Sequence, residues 1–163
     1  MSIRKYGVSG LICLGLLLLD QWTKHLILQK VPLHHSVAVI PGFFNLTHVR
    51  NTGGAFGILA GRGRGGFAFF LILSVVAIGA IVYFYVKEEG RNRRFTLPLP
   101  FILSGAIGNL IDRLRHGEVV DFLDFYVSSF HWPAFNIADS AICVGIGLLA
   151  WELLIWDRQK KGG

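Results

Sequence analysis

Residues 67–86 read FAFFLILSVVAIGAIVYFYV, twenty positions whose only ionisable groups are the phenols of Tyr83 and Tyr85. A helix of that length rises about 30 Å, the thickness of a bilayer's hydrocarbon core. The rest of the chain leans the same way. Apolar residues make up 53% of the 163 positions and charged residues 16%, where soluble proteins carry about 25% charged. With a mean hydropathy of +0.54, the chain reads as a membrane protein before any motif is considered.

Three further stretches are long enough to cross, at about 7–28, 95–114 and 137–156. Arg4 and Lys5 ahead of LICLGLLLL fit a signal peptide, but no small-x-small cleavage site follows and the run continues to Leu28, so an uncleaved first span is expected. The formal charge of +6 does not point to nucleic acid, because Lys and Arg are scattered in short groups between apolar runs. Such groups set membrane orientation. Arg4, Lys5, the loop KEEGRNRR (87–94) and the tail Arg158, Lys160, Lys161 share one side, which is expected to be cytoplasmic. Cys13 and Cys143 sit in apolar runs and are expected to be small buried hydrophobes.

Threading the chain through four spans brings its polar residues to one level. Asp20 and Lys24 fall in the outer part of the first span, Asn109, Asp112 and Arg113 at the outer end of the third, and Asn136 and Asp139 at the outer start of the fourth. Asn51, Glu118, Asp121 and Asp124 come from the two outer segments, 29–66 and 115–136. Within 29–66, SVAVIPGFFNLTHVRN has the β-branched and aromatic content of short strands, followed by turn-prone NTGG. GRGRGG (61–66) matches G-x-G-x-x-G but lacks a dinucleotide site's context, and a flexible lead-in to the second span is expected.

Each polar group has a bland reading. Asp20 and Lys24, spaced i,i+4, can form an intrahelical salt bridge with Lys24 reaching outward. Asn109 and Asp112 share a face, with Arg115 in reach of Asp112, and suit a structural hydrogen-bond network. Asn136 and Asp139 fit a helix cap, Asn136 as N-cap and Asp139 facing its amide. Capping does not explain why VVDFLDF (119–125) brings two more acids to the same level among valine and phenylalanine. Carboxylates in apolar surroundings resist ionisation, and two facing each other share a proton, as the acids of aspartic proteases do. Cysteine, serine and metal chemistries lack the necessary companions, and paired aspartates remain, with Asp121 and Asp124 both eligible.

Five blocks resemble the signal peptidase II family of bacterial lipoprotein signal peptidases: DQWTK (20–24), NTGGAF (51–56), GAIGNLIDR (105–113), VVDF (119–122) and PAFNIADS (133–140). Together they span nearly the whole chain. The resemblance implies an aspartic endopeptidase cutting diacylglyceryl-modified prolipoproteins before the lipidated cysteine, with Asp121 and Asp139 catalytic. It assigns supporting or substrate-contacting roles to Asp20, Lys24, Asn51, Gly53, Ala55, Gly105, Asn109, Asp112, Arg113 and Asn136. It further implies an extracytoplasmic β-cradle and a mobile periplasmic helix, which are expected here in 29–60 and 114–132. The expectation is therefore an all-α membrane protein, one integral domain over 1–163 with four transmembrane helices, a small extracytoplasmic β-sheet and a periplasmic loop or short helix. Its partners would be lipidated prolipoproteins and membrane lipids, with no nucleic acid, no metal and no organic cofactor. The chain is expected to be monomeric in the bacterial inner membrane, with its site at the extracytoplasmic face. The competing readings are a small ion- or proton-coupled carrier, which would keep polar residues near the midplane, and a non-catalytic assembly factor.

Overall fold

Residues 3–52, 63–88 and 96–161 are described in the computed structural model of the chain. In order they form α1 (Ile3–Lys30), β1 (Ser36–Ile40), β2 (Phe44–Asn51), α2 (Gly63–Glu88), α3 (Leu99–His116), β3 (Val119–Val127), β4 (Phe130–His131) and α4 (Ile137–Lys161). Among the described residues, three helical segments are long and apolar enough to cross a membrane: Gly7–Lys30, Gly66–Lys87 and Ile137–Ile155. Many of their large apolar side chains face outward. Leu11, Leu18, Ile72, Val76, Trp151 and Leu154 are all exposed, as the surface of a lipid-embedded bundle requires.

The fourth expected span, 95–114, differs from the other three. Its helix, α3, has 18 residues, its last turns carry Asp112, Arg113, Arg115 and His116, and it is not among the three apolar crossers. It packs against all three other helices. Two glycines make this approach close. A β-carbon at Gly105 would collide with the backbone carbonyl of Ala138 on α4, and one at Gly108 would stand 2.6 Å from Asp20 Oδ2 on α1. Gly117 ends the helix in the left-handed conformation (φ 76°) and donates its N–H to Arg113 O.

The chain then enters a four-stranded antiparallel sheet ordered β1-β2-β3-β4. The predicted strands within 29–60 are present, but the helix expected in 114–132 is not. Residues 119–127 form β3, because VVDFLDFYV is β-branched and aromatic and finds β2 to pair with. The flexible lead-in expected at 61–66 is corrected over Gly63–Gly66, which are already helical, while 61 and 62 lie outside the described residues. Val120 and Phe122 of β3 pack against Ile27 and Val31 at the end of α1, which seats the sheet on the bundle. Phe135 N donates to Leu123 O while Phe122 and Leu123 donate to Phe135 O, so the start of α4 is pinned beside β3. The cysteines are less hidden than expected. Cys13 is half-buried, and Cys143 is exposed on an outward helix face.

Gly105→Ala tests the helix contact. Overpacking of this kind costs about 1–3 kcal/mol, and a backbone carbonyl cannot swing aside as a side chain can. The variant is expected to melt well below the parent in detergent. An unchanged melting temperature would contradict the contact.

Candidate active site

The four buried ends met at this level are α1, α3, the start of α4, and β3 with its neighbour β2. Lys24 is 2% exposed and turned inward, not outward as the snorkelling reading expects. Its Nζ donates to Asp20 Oδ2 and Asp112 Oδ2, both at 2.9 Å, and to Asn109 Oδ1 at 3.1 Å. An ammonium has three protons, and here each has an acceptor. Asp112 thus pairs with Lys24 rather than with Arg115, because α1 lies closer to its carboxyl than the next turn's exposed flank.

The two acids also hold backbone. Asp20 Oδ1 accepts from the N–H of Ala138 in the first turn of α4 (2.9 Å), where a helix presents free amides and positive potential. Asp112 Oδ2 accepts from Val120 N of β3 at 3.2 Å. Gln21, which the sequence reading passed over, donates Nε2 to Asp20 Oδ2 (3.1 Å), Asp112 Oδ1 (3.0 Å) and Gly108 O (3.3 Å). Its position beside Asp20 was visible in sequence, but its contacts to α3 were not.

Asn136 is fully buried and caps α4. Its Oδ1 accepts from Asp139 N at 2.9 Å, while Asp139 Oδ2 accepts from Asn136 N at 3.3 Å, the reciprocal capping expected from Asn-x-x-Asp. The cap has a second use. Asn136 Nδ2 donates to Asp121 Oδ1 at 2.7 Å and reaches Asn109 Oδ1 at 3.3 Å. Asn109 Nδ2 in turn donates to Asp139 Oδ1 at 2.7 Å. Two touching amides therefore hold one oxygen of each carboxylate. Asn51 Nδ2 adds a bond to Asp121 Oδ2 at 3.0 Å. Asn51 sits two residues beyond Val49, the residue opposite Asp121, and so shares its sheet face.

Burial pushes the Asp121 carboxyl up to about 7, and the nearby charge of Asp139 adds to the rise against the hydrogen bonds from Asn51 and Asn136. Asp124 stands elsewhere. Strand alternation turns it to the opposite face of β3, where its Oδ2 accepts from Asn45 Nδ2 (2.9 Å) and its Oδ1 lies 2.8 Å from His131 Nδ1. Glu118 meets Arg50 at 3.9 Å in a half-exposed pair. Arg113 donates Nη1 to Asn109 O at 3.3 Å and lies within electrostatic reach of Asp139, Asp112 and Asp121. Of the expected site residues, Asp20, Lys24, Asn51, Gly105, Asn109, Asp112, Arg113, Asp121, Asn136 and Asp139 come together. Gly53 and Ala55 lie outside the described residues.

The fold is that of a helix-dominated membrane protein with buried acids gathered at one end of its helices, and comparison with known proteins places it among membrane enzymes. A family described as signal peptidase (SPase) II matches residues 12–155. The lipoprotein signal peptidase of Syntrophus aciditrophicus is 46% identical over 98% of this chain and 100% of that protein. Its counterpart in Geobacter sulfurreducens is 47% identical over 95% of this chain and 96% of that one. A bacterial membrane enzyme solved by the in meso method at 2.3 Å superposes with a TM-score of 0.82 and 39% identity, covering 91% of this chain and 88% of the other. The chain belongs to the signal peptidase II family, whose members are aspartic-type proteases.

Lys24→Met tests the buried cluster. Removing the cation leaves two carboxylates buried without it, and breaking such a pair costs about 3–5 kcal/mol. A large drop in melting temperature in detergent is expected. Parent-like melting would mean that Lys24 does not carry the cluster.

Proposed function

We propose that this signal peptidase II cleaves diacylglyceryl-modified prolipoproteins just before the lipidated cysteine, with Asp121 and Asp139 as the catalytic pair. The observation that carries this reading is the amide bridge, in which Asn136 binds Asp121 and Asn109 binds Asp139, each at 2.7 Å. It draws together two carboxyls from different elements in a buried setting where joint ionisation is resisted. Four helices would span the bilayer as one integral domain, with both termini cytoplasmic and the site at the extracytoplasmic face of the inner membrane. A substrate whose cysteine carries two acyl chains stays in the bilayer, so its scissile bond waits at that level. The enzyme would act as a monomer among membrane lipids.

The chemistry follows from one proton held by the pair. The ionised carboxyl takes a proton from water as the water oxygen bonds to the scissile carbonyl carbon. The protonated carboxyl gives its proton to the carbonyl oxygen, forming a neutral gem-diol. On collapse the C–N bond breaks and the nitrogen receives the proton held by the first carboxyl. The second regains a proton from a diol hydroxyl, and the pair again holds one. Lys24, Asp20 and Asp112 would position Asn109 and the start of α4, while Asn51 and Asn136 orient Asp121. Gly105 lets α4 approach, and Arg113 supplies positive charge beside the pair. Gly53 and Ala55 would support the site or contact substrate.

Asp121→Asn and Asp139→Asn are each expected to lower turnover of a lipidated precursor by about 10²–10⁴-fold, the usual worth of acid–base catalysis. Asp124→Asn should retain substantial activity, because its carboxyl is engaged with Asn45 and His131. Rapid cleavage by either folded dyad variant would remove that residue from the mechanism.

The pH dependence has a definite sign. A carboxyl raised to about 7 keeps its proton through mildly acidic pH and loses it above, so activity falls as pH rises through about 7 and the acid partner disappears. It also falls at low pH, when both carboxyls are protonated and no base remains. The limits belong to the pair. A rate still climbing well above pH 8, roughly one unit past that value, would contradict a shared proton.

A further inference from the structure

α2 is nearly bare of buried side chains. From Gly66 to Lys87 only Gly66 and Phe70 are buried, while Phe69, Ile72, Leu73, Val75, Val76, Val82, Phe84 and Val86 are exposed. Among the described side chains of α2, the one large group turned inward is Phe70, which sits at the level of the acids, and its ring meets a cation. Arg113 Cζ lies 5.5 Å from the Phe70 centroid. The same guanidinium donates Nη1 to Asn109 O at 3.3 Å. Asn109 is the residue whose amide holds Asp139.

We propose that Phe70 is a positioning residue for catalysis: its ring holds the Arg113 guanidinium beside the Asp121–Asp139 pair, which rests on the dyad reading above. The electrostatics supports the role. A guanidinium against an aromatic face is attracted by the ring's quadrupole and lowers its exposure to water, which lengthens the reach of its charge. Arg113 stands within that reach of Asp139, Asp112 and Asp121. A positive charge held there favours ionised carboxyl and adds to that of Lys24, which with the hydrogen bonds from Asn51 and Asn136 works against the rise that burial and Asp139 impose on Asp121. Without the ring, the guanidinium loses its aromatic face and is held less closely beside the pair by its remaining contacts, Asn109 O among them, so the pair keeps its proton to higher pH. The inference separates Phe70 from a plain packing residue, because leucine fills apolar space but has no π face.

The test is an aromatic series read by the kinetics of lipidated-precursor cleavage in proteoliposomes, with melting temperature followed in parallel. Phe70→Leu is expected to lower kcat roughly five- to tenfold, the range a partly desolvated cation–π contact covers, with little change in KM. Its alkaline limb should move upward by about half a pH unit as the pair loses a fixed cation. Phe70→Tyr and Phe70→Trp should restore both kcat and the limb. In an Arg113→Gln background, Phe70→Leu should add little, since the cation it would release is gone.

A Phe70→Leu enzyme with parental kcat and pH limits overturns the proposal, as does a loss that tyrosine and tryptophan fail to restore. Losses from Phe70→Leu and Arg113→Gln that multiply independently also overturn it. Should Phe70→Leu fail to fold, Phe70→Met and Arg113→Gln decide: an alkaline limb that stays parental in either variant leaves the ring no role, whereas an upward shift in both supports it. Asp121→Asn run alongside separates the two claims. Full activity in that variant sinks the dyad and this inference together, whereas its loss beside a parental Phe70→Leu sinks only the latter.

Discussion

One buried ammonium organises this end of the molecule. Lys24 lies on α1, its acceptors Asp112 and Asn109 lie on α3, and its helical neighbour Asp20 binds the first turn of α4. Asp112 carries the connection onward to Val120 of β3. Three helices and the sheet therefore meet around a single positive charge. Buried ion pairs add little net stability over well-packed hydrophobic residues, since desolvation offsets attraction, but they permit only one arrangement of their partners. A site that must hold two carboxyls in fixed relation needs that kind of constraint.

Within a few turns the chain uses aspartate in three ways. Asp20 and Asp112 accept from Lys24, Gln21 and backbone amides, and they fix elements. Asp124 joins β3 to Asn45 of β2 and to His131 of β4, whose imidazole also stacks on Tyr126 at 4.8 Å. Asp121 is buried beside the Asp139 carboxylate, and its proton affinity rises despite the hydrogen bonds it accepts from Asn51 and Asn136. Residue type sets none of these roles. The counter-groups do.

Much of this was legible in sequence, and the limits have physical causes. Apolar runs report helices directly, and Asn136-x-x-Asp139 reports its own cap because both partners lie within one turn. The level at which the acids gather follows from counting residues along spans. The inward turn of Lys24 was not legible, because the i,i+4 spacing fixes its face but not whether another helix covers that face. Nor was the choice of Lys24 over Arg115 as partner of Asp112, a contact spanning almost ninety positions of sequence. The strand at 119–127 is a different case. Its alternation and β-branching were present in VVDFLDFYV, but the helix that the family resemblance implies was assigned to the segment containing it. Phe70 gave no signal at all among thirteen phenylalanines, since only its contact with Arg113 distinguishes it.

The central claim is that Asp121 and Asp139, bridged by Asn109 and Asn136, hold a single proton between them. Infrared difference spectroscopy of the protein in lipid reads this without substrate, through the carbonyl stretch that only a protonated carboxyl displays. The account expects such a band to titrate away near pH 7, consistent with the raised Asp121 carboxyl, and to be altered or lost in both Asp121→Asn and Asp139→Asn. A band that persists unchanged in both variants, or carboxyls fully ionised from mildly acidic pH upward, would contradict it.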